Sequence, residues 1–294
     1  MNITRIRNLP CWQGDITAEP LTGGLSNESW KVTDHAGAHV VRFGKDFPFH
    51  HVSRDREVMT ARAAHAAGFA PKVEYAAPGV MVSEFIDART WGEADLRNAP
   101  DRVAEMLRDF HTAMPDHVTG AGFAFWVFHV IRDYARTIEQ GESPYAKRLP
   151  AFLKTAREME AAQVPLPIIF GHHDLLPANF LDDGSRLWLI DFEYAGFGTA
   201  MFDLAGAASN SGMDEDQSNR LLTAYFDAPP DPATLRAFDA MKCASLLREA
   251  MWAMVSDLHL SAPGVDYAAY ATENLARLDQ ALDQYHQNHG GTPS

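Results

Sequence analysis

In the stretch GHHDLLPANF (171–180), His172, Asp174 and Asn179 stand at the spacing HxDxxxxN, and WLIDFEYAG (188–196) follows with Asp191. The apolar LLP between the polar residues predicts a tight loop packed on a core, with its polar side chains turned one way. WLI ahead of Asp191 predicts a buried strand that ends on a carboxylate, and an unpaired carboxylate in apolar surroundings is costly. A divalent cation removes that cost. Mg²⁺ takes hard oxygen ligands in octahedral geometry, usually one or two carboxylates completed by substrate phosphates and water. Asn179 and Asp191 supply such oxygens and are the candidate metal ligands, while Asp174 is left to accept a proton or orient a hydroxyl. These three are the candidate catalytic residues.

The elements that must carry this loop change character along the chain. A run near 14–20, LSNESWKVT (25–33), HVVRF (39–43) after the turn DHAGA, and KVEYA (72–76) and VMVSEFI (80–86) around the turn APG read as short, mostly antiparallel strands. One helix interrupts them, VSRDREVMTARAAHAAG (52–68), with Ser53 at the N-cap and Gly68 as its stop. Beyond Trp91 the segments 98–113, 126–140, 147–163, 214–227, 233–260 and 266–287 have helical length and spacing, and only 168–192 looks β-like. EYAGFGTA (193–200) reads as a turn. The expected fold class is therefore α+β and bilobal: a small antiparallel-sheet lobe with one helix (1–87), then a larger, mainly helical lobe (88–294), with the hinge just after EFIDA and a frayed C-terminal tail. A ligand would sit between the lobes.

With 294 residues and 46% hydrophobic content, the chain can bury a large core, which excludes a disordered or fibrous protein. Its formal charge is -14, nearly all of it carried beyond residue 87, which argues against nucleic acid as a partner and suits a cationic ligand. Cys11 and Cys243 lack patterned His or Cys neighbours and read as inert thiols. No secretory or bilayer-spanning run is present, so a cytoplasmic protein without membrane insertion is expected. The pairs His50–His51 and His172–His173 suggest zinc only weakly, since adjacent side chains on an extended segment face opposite ways and a zinc site needs three convergent ligands.

HxDxxxxN with a downstream aspartate resembles the catalytic loop and metal aspartate of the protein-kinase-like fold, in the form used by the aminoglycoside phosphotransferase and choline/ethanolamine kinase superfamily. LTGGLSNESWKV, the arginine of VVRF and LIDFEYAG are most similar to the choline/ethanolamine kinase branch, and the resemblance runs from Leu21 to about Tyr270. It implies ATP and Mg²⁺ as cofactors. Between two predicted strands, Gly23, Gly24 and Leu25 would let backbone N–H groups approach phosphate oxygens, with Ser26 and Asn27 adding donors. Where protein kinases have a strand lysine, this chain has Arg42, which keeps the charge and can grip two oxygens, and Glu57 is its candidate helix partner. The resemblance also implies that Glu84, Phe85 and Ile86 meet the adenine and that Asp203 braces the catalytic loop. Glu193, two residues past Asp191, reads either as approaching the metal or as pairing with a basic side chain, the second being favoured. No activation segment of the protein-kinase kind separates EYAGFGTA from FDLA.

The acceptor implied by this branch is a small cationic alcohol, choline or ethanolamine first. Trp252 and Tyr267 stand where the family is expected to place aromatic cage residues, and Glu249, three residues before Trp252 on the same helix face, could supply a carboxylate. Val255 replaces another expected tryptophan, and AGAASNSG after Asp203 lacks acidic and aromatic residues, leaving Asn210. An aminoglycoside or other small-molecule alcohol therefore stays open as the acceptor. So does a catalytically silent nucleotide-binding pseudokinase, against which the joint presence of His172, Asp174, Asn179 and Asp191 argues. MDEDQ (213–217) reads as the cap of the next helix.

Overall fold

The computed structural model describes residues 3–21, 28–261 and 264–290. It opens with a short helix that the sequence reading missed, α1 (Ile3–Arg7), whose Ile6 is buried under a five-stranded sheet. That sheet is antiparallel in the order β1 (Thr17–Leu21), β2 (Glu28–Thr33), β3 (Ala38–Phe43), β5 (Val80–Glu84), β4 (Val73–Ala77). The alternation of AHVVRF sends Val41 and Phe43 into a small core with Ile6, Val32, Val80 and Val82, and it leaves Arg42 on the opposite face. Between β3 and β4 lies α2 (Arg54–Ala66). Ser53 holds the N-cap position in extended backbone but makes no capping bond, and Gly68 turns the chain away at φ +90°. The apolar side of α2 is small: Ala61, Ala63 and Ala64 join the core of the second lobe rather than that of the sheet.

The second lobe runs β6 (Arg89–Thr90), α3 (Glu93–Asn98), α4 (Pro100–His117), α5 (Val127–Gln140), α6 (Leu149–Ala161), β7 (Ile168–Gly171), β8 (Phe180–Asp182), β9 (Leu187–Leu189), β10 (Gly196–Thr199), α7 (Ala200–Ser211), α8 (Glu215–Phe226), α9 (Pro232–His259) and α10 (Tyr267–His289). α9 is its pillar, apolar nearly all round and packed against α5, α6, α7 and α10. α8 starts on a capping box: the Asp214 side chain accepts from Gln217 N at 2.8 Å and Gln217 answers at 3.0 Å, so the acidic run is a cap. The expected α+β, bilobal arrangement is what the chain adopts, and no helix among the described residues is long and apolar enough to cross a membrane.

Three elements differ from the sequence reading. EYAGFGTA is not a simple turn: its second half is β10, antiparallel to β7. Its glycines are there for closeness, since a Cβ on Gly196 would come within 2.7 Å of the Phe123 carbonyl and one on Gly198 within 2.8 Å of the Phe125 carbonyl. α7 has no polar face to give it a helical period, because it is buried from Ala200 through Ala208. α3 is a six-residue helix set off from α4 by Ala99.

Candidate active site

Pairing decides where the oxygen-bearing residues lie. β8 and β9 form an antiparallel hairpin with Phe180 opposite Leu189, so Asn179, just before β8, and Asp191, just beyond β9, emerge at the same end. Ile190 N donates to Asn179 O at 3.1 Å and extends the ladder to that end. The Asn179 side chain donates from Nδ2 to Asp174 O at 2.8 Å, which leaves Oδ1 without a protein donor among the described residues. Asp191 adopts φ +68°, a left-handed conformation that costs a non-glycine residue on the order of 1–3 kcal/mol and persists where the surroundings enforce it.

Asp203, in the first turn of α7, braces the loop from beneath. Its carboxylate accepts from His172 N at 2.8 Å and His173 N at 2.7 Å, and it lies 2.9 Å from His111 Nε2. Burial pushes its pKa up, yet His173, His111 and His172 hold it well below the usual carboxylate range. The His172 imidazole donates from Nε2 to Ile190 O at 2.9 Å and accepts the Asp174 N–H on Nδ1 at 3.3 Å, tying the loop to the strand end. Burial lowers its pKa, in keeping with a neutral ring in both roles. His173 does not look into the cleft: it is buried, stacked on Phe125 with ring centroids 4.3 Å apart, and its pKa falls to about 4 through burial.

From Asp191 a file of alternating charges leads into the small lobe. Arg42 lies 3.0 Å from Asp191 Oδ1 and 3.0 Å from Glu57; Arg54 lies 2.5 Å from Glu57 and 2.9 Å from Glu193. Glu57 is thus the helix partner of Arg42, and Glu193 pairs with a basic side chain. Burial would lower the pKa of Arg42, but Asp191, Glu57 and Glu193 hold it above its usual value. Of the expected adenine contacts, Glu84 N already donates to Lys72 O at 2.9 Å and Phe85 N to Ala38 O at 3.0 Å. Ile86 N–H alone of the three lacks a partner among the described residues. Gly23, Gly24, Leu25, Ser26 and Asn27 lie outside the described residues.

α9 faces Asp174 from the other side. The carboxyl of Asp174 makes no hydrogen bond among the described residues. Burial pushes its pKa well above the carboxylate range, Arg248 opposes the rise, and Glu249, Asp191 and Glu193 add to it. Glu249 pairs with Arg248 and lies 3.4 Å from the Tyr270 hydroxyl. Trp252 is only 9% exposed: His50 stacks on it at 5.1 Å, its indole N–H donates to Tyr194 OH at 2.9 Å, and Tyr267 and Tyr270 meet it edge-on at 6.0 and 6.2 Å. Trp252 is therefore packed against His50 and Tyr194 on the wall that faces Asp174. Tyr267 is buried as well, and its hydroxyl has no partner among the described residues.

Sequence reasoning missed Arg54, Tyr194, Arg248 and Tyr270. A charged pair such as Arg248–Glu249 inside the apolar run LLREAMWAMV was the available signal for one of them. His50 reaches Tyr134 OH at 3.2 Å and Ser256 Oγ at 2.8 Å, whereas His51 reaches Asp133 at 2.8 Å, so that pair serves two separate partners. No three His, Cys, Asp or Glu side chains among the described residues converge as a metal site. A two-oxygen set from Asn179 and Asp191 fits a hard cation whose remaining ligands come from phosphate and water.

A family model described as the phosphotransferase enzyme family matches residues 17–238. A probable ethanolamine kinase of Arabidopsis thaliana is 26% identical over 274 residues, 82% of this chain and 73% of that protein. Among solved structures, a choline/ethanolamine kinase family protein from Mesorhizobium loti superposes with a TM-score of 0.78 at 27% identity, covering 97% of this chain and 95% of that one. Choline kinase LicA from Streptococcus pneumoniae shares the fold with a TM-score of 0.76 at 23% identity, covering 92% and 94%. The matched span takes in the sheet, the loop after β7 and most of the helices around it, so the chain belongs to the phosphotransferase enzyme family, and its likenesses within that family run to choline and ethanolamine kinases.

Proposed function

We propose that the protein transfers the γ-phosphoryl group of ATP, with Mg²⁺, to the hydroxyl of a small amino alcohol, the class that includes choline and ethanolamine. The observation that carries this reading is the shared hairpin end of Asn179 and Asp191, with Asp174 on the adjoining loop and Arg42 3.0 Å from Asp191. Phosphoryl transfer needs mainly positioning and neutralisation of charge on the phosphoryl oxygens. Asn179 Oδ1 and the Asp191 carboxylate would hold Mg²⁺, which when bound would supply that neutralisation. Arg42, steadied by Glu57, and the backbone of residues 23–27 would grip the phosphates, and the chain around Ile86 would meet the base. Asp174 would orient the acceptor hydroxyl and take its proton as the new O–P bond forms and the bond to the departing ADP oxygen breaks. Burial raises the proton affinity of its carboxyl.

Coupled ADP release, run with and without Mg²⁺ over choline, ethanolamine and an aminoglycoside, tests the reading. Asp174→Ala is expected to lower turnover by about 10²–10⁴-fold with nucleotide binding nearly unchanged, whereas Asp191→Ala also weakens Mg²⁺-nucleotide binding. Normal turnover in Asp174→Ala would overturn the assignment, and ATP binding without ADP release for any acceptor would favour a silent pseudokinase.

A further inference from the structure

Arg248 is 2% exposed in the middle of α9, where a guanidinium needs its donors satisfied. Its Nη1 pairs with Glu249 and its plane covers the Tyr194 ring at 4.4 Å, but Nε and Nη2 have no partner among the described residues. These two nitrogens share one edge of the guanidinium, the edge that receives both oxygens of a carboxylate side by side. The charged and phenolic groups around it are Glu249, Tyr134, Tyr194 and Asp174, so this buried, unpartnered edge lies in the same surroundings as Asp174. A second unpartnered donor, the buried Tyr267 hydroxyl, lies on the same wall across Trp252. Glu249, beside Tyr270, offers the opposite charge one residue along. For a quaternary ammonium this wall is poorly built. Trp252 is packed against His50, and the Tyr194 face is already taken by the protein's own cation.

We infer that the acceptor is a zwitterion, an amino alcohol that also carries a carboxylate, with the ammonium held at Glu249 and the carboxylate received by the free Nε/Nη2 edge of Arg248. This rests on the phosphotransferase reading above and narrows its substrate class to hydroxy amino acids. It makes Arg248 the residue that sets acceptor choice.

Matched pairs test it on the unaltered protein: L-serine against ethanolamine and L-homoserine against 3-aminopropan-1-ol differ only by the carboxylate. kcat/KM for ADP release is expected to favour the amino acid of a pair by at least about 100-fold, because the amine leaves a buried fork unpaired. Arg248→Lys keeps the charge and loses the fork, and is expected to collapse that ratio toward unity. If ethanolamine or choline is used as well as or better than the amino acids, the inference fails and the phosphotransferase reading stands. A ratio unchanged in a folded Arg248→Lys protein also overturns it. If no acceptor raises ADP release, both readings fall together.

Discussion

Asp203 touches no substrate in the proposed reaction, yet two backbone N–H groups of the candidate catalytic loop and His111 depend on its carboxylate. Asparagine has nearly the same shape but only one acceptor oxygen, and its NH₂ group would face a backbone N–H. Asp203→Asn is therefore expected to cost about 2–4 kcal/mol in urea unfolding, as hydrogen bonds to a buried charged group are lost and a donor is left unpaired. Its effect on ADP release should follow from a displaced Asp174. Wild-type stability in this variant would show that the loop is held by other means.

At the scale of the element, β7 ends on Gly171 directly under that loop, and the site tolerates no side chain there. A Cβ on Gly171 would lie 2.5 Å from His173 Nε2 and 2.9 Å from Asp203 Oδ2. Gly171→Ala is expected to destabilise by about 1–3 kcal/mol through overpacking and to lower kcat, read by unfolding and steady-state assays. Such constraints show why only part of the molecule was legible in the sequence. The five strands announced themselves by period-two alternation and flanking turns, α2 by a run of helix formers between Ser53 and Gly68, and the long helices by their length and spacing. HxDxxxxN followed by LID marked the site, because oxygen-bearing residues beside apolar runs have few structural uses. α7 and β10 escaped because burial on every side removes the period from one, and glycines that look like turn formers serve close packing in the other. The packing of Trp252 depends on His50, some two hundred residues away, which local spacing cannot report.

Across the whole molecule, buried histidines join distant parts of the chain while uncharged. Burial lowers His50 to about 2, with Arg248 adding to the effect, and His173 to about 4. The unfolded chain takes up these protons near pH 6.5, and the folded one only well below. Protonation thus favours unfolding as pH drops beneath 6.5, and the stability they contribute above that pH is lost progressively. At pH 5 the loss should reach about 2 kcal/mol per site. Urea midpoints measured from pH 7 to 5 should fall accordingly, and less steeply in His50→Gln. A flat profile would mean that these rings are charged in the folded protein. Asp203, held low, contributes only at more acidic pH.

α2 is sequestered by its alanines in the helical core, and a cavity of about 530 Å³ runs between it and the β4–β5 edge. Arg42 sits on the sheet and Glu57 on the helix, so their 3.0 Å contact ties the small lobe to an element anchored in the large one.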